Sequence, residues 1–372
     1  MQQPVQQTGY LQPPPPQAGV PAGAPMMMAP APPAAPGASP NITFNDGGAR
    51  EFLCSQHWPA GLQESFIKNV ARMPIRYFIV DDSGSMAMSD GHRINTNSNG
   101  SKSVISSTRW AELSQAMMFH MQLAKAGALP TEFRLLNGAP PVLIGGNDPN
   151  EVVGWQTLEC IFRDSPNGGT PLCRHINEIV AKIRSMEQFL RSNGQVACVN
   201  IFTDGQSSDG NVAQAMAPLK NLPVHVVVRL CTDQDDVVEY WNGVDGQLEL
   251  RMDVLDDLIG EAKEVNEHNK FITYGEPIHR LREFGITVKE FDLMDEQKLS
   301  LDQVKRLCSE IYGTDPQKVP SPEADWEAFV KVIETENKRS GKVWCPRKQR
   351  DEDWISVKNL ASAFKKGGCS IM

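Results

Sequence analysis

The chain has 372 residues, its hydrophobic and charged fractions are 40% and 22%, and its formal net charge is -9. These values fit a globular protein and argue against a nucleic-acid-binding protein, because phosphate binding needs a basic surface. The eight cysteines include no CxxC pair, so no structural zinc site is expected. With no secretory signal and no apolar run of about 18 residues, the sequence predicts an intracellular protein with reduced thiols.

The N-terminal segment 1–50 is predicted to be a disordered tail. It is rich in Pro, Gln and Ala, and no charged side chain precedes Asp46. Such a segment buries too little apolar surface to fold and favours polyproline-II conformations. The tail either solubilises the protein or is a ligand for a Pro-recognition module, and the two roles are compatible.

An α/β domain is predicted for residues 75–293, after a helical lead-in at 51–74. Apolar strands alternate with amphipathic helices, which predicts a Rossmann-like, doubly wound and mainly parallel sheet flanked by helices. The predicted strands are 76–81, 131–137, 140–145, 196–203, 224–230 and 286–293. The predicted helices are 108–127, 150–163, 171–192, 211–220, 231–245 and 252–268, and residues 88–108 are predicted to form a loop.

Helices are predicted to continue beyond the sheet. Residues 294–353 are expected to form a helical extension, with helices at 300–313 and 323–337 and a charged loop at 340–353. In the tail 354–372, apolar residues at helical spacing predict an amphipathic helix. This helix either lies on a membrane surface or docks on the domain, and the sequence favours neither.

Oxygen-bearing side chains follow the predicted strand ends. Because ligands of an open α/β sheet lie at the carboxyl ends of its strands, these side chains are expected to meet there. All are hard oxygen donors, which select Mg²⁺, Mn²⁺ or Ca²⁺ over zinc. Hydroxyl ligands add no charge, so the ion keeps water that a partner's carboxylate can displace. The predicted metal ligands are Asp81, Ser83, Ser85, Thr170 and Asp204.

The run Asp-Asp-Ser-Gly-Ser after the first strand resembles the D-x-S-x-S motif of von Willebrand factor A domains. Thr170 and Asp204 match the other two positions of their metal-ion-dependent adhesion site. The resemblance covers about 76–293, and the wider run resembles intracellular members of the family from microbial eukaryotes. It implies a six-stranded, mainly parallel sheet with the two serine hydroxyls on the metal. It also implies that the other three residues bind the metal directly or through water.

One acidic residue of the motif is not expected to be a ligand. Asp82 directly follows Asp81, and adjacent side chains of an extended backbone point in different directions. The predicted carboxylate ligands are therefore Asp81 and Asp204.

The chain ends in Cys369-Ser370-Ile371-Met372, which resembles a C-a-a-X prenylation box with farnesyl as the favoured lipid. A single lipid gives reversible membrane binding, so a second signal is expected beside it. Lys365 and Lys366 form a weak basic cluster there. The predicted location is cytoplasmic and peripheral to a membrane through farnesylated Cys369.

Cys369→Ser is expected to move the protein from the membrane fraction to the cytosolic fraction, because the substitution removes the thiolate that carries the lipid. Fractionation of cells that express either chain measures the change, and Ser370→Ala is the matched control. An unchanged membrane fraction in Cys369→Ser would contradict the lipidation prediction.

The expected function is a membrane-anchored protein-interaction module that binds a partner carboxylate through a divalent ion. An alternative is a non-catalytic docking subunit of a larger ATP-driven or trafficking assembly; the sequence has no Walker loop. A hydrolase is disfavoured. The segment Asp-Ser-Gly resembles the aspartate segment of subtilisin-like proteases, but no Gly-x-Ser nucleophile segment stands in a suitable place. The chain is therefore not expected to be an enzyme.

Overall fold

A six-stranded sheet forms the centre of the protein, whose computed structural model describes residues 43–232, 234–248 and 250–364. The strands in chain order are β1 (Ile75–Val80), β2 (Gly91–Thr96), β3 (Lys102–Ser107), β4 (Thr131–Leu135), β5 (Val142–Ile144), β6 (Ala197–Thr203), β7 (Val224–Leu230), β8 (Met252–Leu255), β9 (Val343–Cys345) and β10 (Arg350–Glu352).

The helices surround this sheet and continue beyond its last strand. In chain order they are α1 (Asp46–Ser55), α2 (Ala60–Arg72), α3 (Arg109–Ala126), α4 (Glu151–Arg163), α5 (Leu172–Ser192), α6 (Val212–Met216), α7 (Asp235–Leu248), α8 (Leu258–His268), α9 (Glu276–Glu283), α10 (Lys289–Glu296), α11 (Leu301–Tyr312), α12 (Trp326–Ser340) and α13 (Val357–Phe364). Short 3₁₀ helices lie at Gly84–Ala87 and Ala217–Asn221.

The strand order of the large sheet is β5-β4-β1-β6-β7-β8. β1 pairs in parallel with both β4 and β6, and the pairs β6–β7 and β7–β8 are also parallel. Only β5, at one edge of this sheet, is antiparallel to its neighbour. After β1, the chain adds β4 and then β5 on one side of that strand. It then adds β6, β7 and β8 on the other side. The predicted α/β class and mainly parallel sheet are therefore confirmed.

Apolar side chains of the central strand alternate between the two faces of the sheet. Phe78 and Val80 pack into a core with helices such as α2, α3 and α11, whereas Tyr77 and Ile79 pack into a second core with α5, α6 and α7. A strand with apolar residues on both faces is stable only when helices cover both. This is why the sheet sequences are apolar runs without polar alternation.

Residues 88–108 form a hairpin, and the prediction of a loop is wrong. β2 and β3 pair antiparallel, with Arg93 opposite Ile105. At the turn, the Asn97 N–H donates to the Ser101 carbonyl at 2.9 Å, and Gly100 adopts a φ of 81° that favours glycine. Most of the hairpin is exposed or half-buried, so its strands lack the apolar alternation that identifies a strand in a sequence.

The last strand of the sheet lies earlier in the chain than predicted. Residues 286–293 were expected to be that strand, but they include the start of α10, whose Phe291 and Met294 are fully buried one helical turn apart. The last strand is β8, and its four residues occupy the beginning of a range predicted to be helical. A strand this short shows too little periodicity to be distinguished from a helix.

Helix α1 begins inside the range predicted to be disordered. The Asn45 side chain caps it by accepting a hydrogen bond from the Gly48 N–H at 3.0 Å. The prediction of disorder is therefore wrong for residues 46–50, whereas residues 1–42 lie outside the described part of the chain. The predicted lead-in consists of two helices, because the chain turns between α1 and α2, where Pro59 stands as the N-cap of α2.

The C-terminal extension packs on the same core as the sheet. Val304 of α11 and Phe329 of α12 are fully buried in the core that also contains Phe78. The charged segment at 340–353 contains the hairpin β9–β10, where a loop was predicted.

The helix predicted in the tail docks on the domain, which is one of its two expected roles. Leu360 of α13 is fully buried, and the Phe364 ring lies 5.9 Å from the Phe271 ring. Trp354, just before this helix, is also buried. Within the described residues, no helix has both the length and the apolar character needed to cross a membrane.

Candidate functional site

The predicted site lies at the carboxyl end of the two central strands. Asp81 follows β1 and Asp204 follows β6, and these two strands are neighbours in the sheet. The Asp81 N–H continues their pairing by donating to the Phe202 carbonyl at 2.9 Å. Because the sheet order changes direction at β1, the general rule for open α/β sheets puts a ligand crevice at the carboxyl ends of β1 and β6.

Hydrogen bonds connect four of the five predicted ligands. The Ser83 N–H donates to Asp81 Oδ1 at 2.9 Å, and the hydroxyls of Ser83 and Ser85 lie 3.1 Å apart. The Ser85 hydroxyl then donates to Asp204 Oδ1 at 2.9 Å. These bonds join the four residues into one group, in which the backbone N–H of Ser83 makes the link to Asp81.

Thr170 lies on a third loop that is joined to the other two by its backbone. The Gly84 N–H donates to the Gly168 carbonyl at 3.1 Å. On the other side, the Ser208 N–H donates to the Thr170 carbonyl at 2.8 Å, and the Thr170 N–H donates to the Ser208 hydroxyl at 3.1 Å. Among the described residues, the Thr170 hydroxyl makes no hydrogen bond to the other four predicted ligands. The structure thus brings the Thr170 loop to the site without joining its side chain to them.

The same loops also hold the start of helix α5. Asp209 follows Ser208 in the loop after β6, and its carboxylate accepts hydrogen bonds from the N–H groups of Cys173 and Arg174, each at 2.9 Å. A carboxylate at this place satisfies N–H groups that the first turn of a helix leaves unpaired. The loop after β6 is therefore fixed to the helix that begins just after Thr170.

The five predicted metal ligands differ in how deeply they are buried. Asp81 and Asp204 are buried, as is Ser83, whereas Ser85 is exposed and Thr170 is half-buried. The carboxylates therefore form the floor of the crevice, and the Ser85 hydroxyl stands at its opening. A group from outside the chain therefore reaches the Ser85 hydroxyl before it reaches the buried Ser83 hydroxyl or the carboxylates.

Asp81 is held in place by donors from its own loop and from β6. In addition to the Ser83 N–H, the Thr203 hydroxyl donates to Asp81 Oδ2 at 2.6 Å. Burial raises the pKa of Asp81 to about 6, although the hydrogen bonds from Ser83 and Thr203 oppose this increase. A buried carboxylate of this kind is stabilised in its charged form when a cation binds to it.

Arg109 is a component of the site that was not predicted. Its Nη1 donates to Asp204 Oδ2 at 2.9 Å, and its Nε donates to Asp90 Oδ1 at 2.7 Å. Arg109 is 1% exposed. Burial lowers the pKa of an arginine, but the two carboxylates outweigh this effect and raise the pKa of Arg109 above its ordinary value. Asp204 therefore has a permanent cation on one oxygen and the Ser85 hydroxyl on the other.

Asp82 turns away from the predicted ligands. Its Oδ1 accepts hydrogen bonds from the Asn137 N–H and from Asn137 Nδ2, both at 2.9 Å. Asn137 Nδ2 also donates to the Gly169 carbonyl at 2.9 Å, so it fixes the loop that carries Thr170. Asp82 and Asn137 therefore support the loops, while the group from Asp81 to Asp204 faces the crevice.

The donors fit a hard divalent cation. Two carboxylates and two hydroxyls come together with no sulfur or imidazole among them, and hydrogen bonds of 2.9–3.1 Å connect them. Oxygen-only sets select Mg²⁺, Mn²⁺ or Ca²⁺. The hydrogen bond from the Ser85 hydroxyl to Asp204 shows that predicted oxygen ligands from the loops after β1 and β6 lie within 2.9 Å of each other. The predicted lipidation site, Cys369, lies outside the described residues.

No protein-family model matches the chain, and no curated protein matches its sequence.

Proposed function

We propose that this chain is a metal-dependent protein-interaction module of the von Willebrand factor A type, in which a divalent cation binds an Asp or Glu side chain of a partner protein. The observation that carries the proposal is the hydrogen-bonded group from Asp81 to Asp204 at the carboxyl ends of two adjacent strands. The sheet order supports it. Counting only the strands of the large sheet, the order is 3-2-1-4-5-6, which is that of Rossmann-like, doubly wound sheets.

In this proposal the cation is Mg²⁺, Mn²⁺ or Ca²⁺. When bound, it supplies an electrophilic centre that accepts a carboxylate oxygen. The residues that would hold it are Asp81, Ser83, Ser85, Thr170 and Asp204.

The remaining residues of the site position these donors. Thr203 and the Ser83 N–H orient Asp81, and Arg109 orients Asp204. The three predicted hydroxyl ligands add no charge, so the ion keeps its attraction for a carboxylate from outside. The exposed position of Ser85 at the opening suits the approach of such a group.

A binding role is favoured over a catalytic one by the partners of the two serines. A serine nucleophile needs a base that takes its proton. The Ser83 and Ser85 hydroxyls are instead hydrogen-bonded to each other, and the Ser85 hydroxyl donates to Asp204, whose other oxygen is ion-paired with Arg109. We therefore propose that these hydroxyls are ligands and do not act as nucleophiles.

Asp81→Ala is expected to abolish Mg²⁺ binding, because it removes a charged ligand from the floor of the site. Ser85→Ala is expected to weaken Mg²⁺ binding about tenfold, because it removes a neutral one. Calorimetric titration of Mg²⁺ into chelator-treated protein measures both effects. Ser89→Ala is the matched control, since Ser89 is also exposed and its described hydrogen bond involves only its backbone. Unchanged Mg²⁺ affinity in Asp81→Ala would contradict the assignment of the site.

Partner binding is tested on the immobilised chain. Cell extract is applied in Mg²⁺ or in chelator, and each protein retained only in Mg²⁺ is purified and titrated against wild type and Ser85→Ala. The expected partner binds at least about tenfold more weakly to Ser85→Ala or when its own contacting Asp or Glu is replaced. The proposal is contradicted if every protein retained only in Mg²⁺ binds wild type and Ser85→Ala with the same affinity, or if Mg²⁺ increases the retention of none.

A further inference from the structure

A second, strongly acidic cavity lies beside the edge strand β8. Its volume is about 410 Å³, and side chains from α7, α8, α9 and α10 contribute to its walls. Nine carboxylate side chains line it, whereas Arg282 and His268 are the cationic or titratable basic groups among its lining residues. None of the predicted ligands at the crevice lines this cavity. The two features are therefore separate in their residues.

Three of the carboxylates converge at one place in this cavity. Glu261 and Glu264 lie three residues apart on α8, which puts them on the same face of the helix. Asp295 faces them from α10. One carboxylate oxygen from each of the three lies within 4.8 Å of those from the other two. Three charged carboxylates at such short distances repel each other unless a cation lies between them or one of them is protonated.

Arg282 is the guanidinium that lies among these three carboxylates, and its single positive charge does not balance three negative ones. Arg282 donates to Glu261 Oε2 through Nη1 and to Asp295 Oδ2 through Nη2, the latter at 2.8 Å. The other oxygen of Glu261 accepts a hydrogen bond from the Asp256 N–H at 2.9 Å. One guanidinium therefore faces three carboxylates, and its two donors are on Glu261 and Asp295.

A second, independent observation concerns the carboxylate oxygen of Asp295 that Arg282 does not contact. The Asp295 side chain is only 9% exposed, yet its Oδ1 has no hydrogen-bond partner within the described part of the chain. A buried carboxylate oxygen without a hydrogen-bond partner is energetically unfavourable. Such an atom, in a cavity lined by carboxylates, points to a bound cation.

We propose that this cavity binds a second divalent cation, with Glu261, Glu264 and Asp295 as its protein ligands. Ca²⁺ is favoured over Mg²⁺, because Ca²⁺ accepts irregular sets of six to eight oxygens while Mg²⁺ requires a near-octahedral set. The volume of the cavity leaves room for water to complete the coordination. A basic segment of another protein is the competing occupant, but oxygens that converge within 4.8 Å suit a single ion better.

The test uses the full chain with Asp81→Ala, which removes the ion proposed for the crevice and leaves the second cavity intact. Chelator-treated protein is titrated with Ca²⁺ or Mg²⁺ by calorimetry, and its thermal midpoint is measured with and without each ion. We expect one Ca²⁺ per chain and a higher midpoint in Ca²⁺, because an ion that binds only the folded state stabilises it.

Two further variants and one control assign the ligands. Asp295→Asn keeps the shape of the side chain, and Glu264→Gln replaces an exposed side chain. Two variants are used so that a folding defect in either of them alone does not decide the result. Each is expected to lower Ca²⁺ affinity at least about tenfold, because the charge of the ligands sets the affinity. Glu334→Gln, an exposed change on α12, is expected to leave it unchanged.

Three results would overturn the proposal. The first is the absence of Ca²⁺ binding in Asp81→Ala, and the second is a Ca²⁺ affinity that neither cavity variant changes. The third is binding of an oligolysine peptide, lost in Asp295→Asn, by protein that does not bind Ca²⁺. That third result would identify the cavity as a docking site for a basic segment.

Discussion

Glu283→Gln is expected to lower the free energy of unfolding by about 3 kcal/mol, because it removes the anion at the centre of a buried ionic cluster. Glu283 is fully buried on α9. Arg280 Nη1 donates to Glu283 Oε2 at 2.7 Å, and Arg229 Nε lies 3.4 Å from Oε1. Both arginines are themselves buried, so a neutral side chain here leaves them without their shared anion.

Urea unfolding of Glu283→Gln, wild type and Glu276→Gln measures this effect. Glu276 is the matched control, because it pairs with the same Arg280 at 3.3 Å but is partly exposed. Partly exposed ion pairs contribute about 1 kcal/mol or less. A change of under about 1 kcal/mol in Glu283→Gln would show that the arginines are neutralised elsewhere.

The same variant has a consequence for pH. Burial raises the pKa of a carboxyl, but Arg280 and His279 outweigh burial and lower the pKa of Glu283 well below its ordinary value of 4.5. A lowered pKa in the folded state means that the unfolded state binds more protons at acidic pH. This contribution to stability is therefore present above pH 4.5 and is lost as the pH falls below it. In Glu283→Gln that part of the acid sensitivity is expected to disappear.

Arg109→Gln is expected to change Mg²⁺ binding in the opposite direction from Asp81→Ala. The substitution removes a buried positive charge that contacts Asp204, so the site becomes more negative and attracts a cation more strongly. We expect about tenfold tighter Mg²⁺ binding. Without metal, the folded state is expected to lose about 2–3 kcal/mol, because Asp204 is left buried without its cation.

Calorimetry with Mg²⁺, and unfolding in Mg²⁺ and in chelator, separate these two effects. Bound Mg²⁺ is expected to restore part of the lost stability, since the ion replaces the missing positive charge. Arg163→Gln is the control, because Arg163 is an exposed arginine that pairs with Glu159 on the same helix. Weaker Mg²⁺ binding in Arg109→Gln would mean that Arg109 acts mainly by positioning Asp204.

The grouping of the predicted site follows from rules that connect sequence to topology. Apolar runs locate β1 and β6, and parallel strands place their carboxyl ends on the same edge of the sheet. Asp81 and Asp204 therefore come together although 123 positions separate them in the chain. The same reasoning predicts that Asp82 turns away, because successive side chains of an extended chain diverge.

The supporting residues of the site were not predictable in this way. Arg109 stands at the start of α3, and nothing in its local sequence connects it with Asp204. Thr203 is the last residue of the apolar strand β6, and no sequence pattern indicates that its hydroxyl donates a hydrogen bond to Asp81. Asn137 follows β4 and has no motif of its own. These roles arise from contacts between distant segments, which single-sequence patterns do not contain.

The errors in the fold come from elements with weak periodicity. The hairpin β2–β3 is mostly polar and largely exposed or half-buried, and β8 is too short for an alternation to be seen. By contrast, the strands buried on both faces and the long amphipathic helix α5 were located within one or two residues. Long apolar or amphipathic patterns are therefore located well, whereas the short buried helix α10 was mistaken for a strand.

The backbone bonds between the three site loops have a consequence for affinity. Gly84 is bonded to Gly168, Thr170 to Ser208, and Asp209 to the first turn of α5. These bonds form when the chain folds, so little loop entropy remains to be lost when an ion or a partner arrives. Preorganised sites of this kind release ligands slowly without needing a large contact area. In the proposed function, where a bound ion contacts the partner, this preorganisation of the loops would raise the affinity without additional contact area.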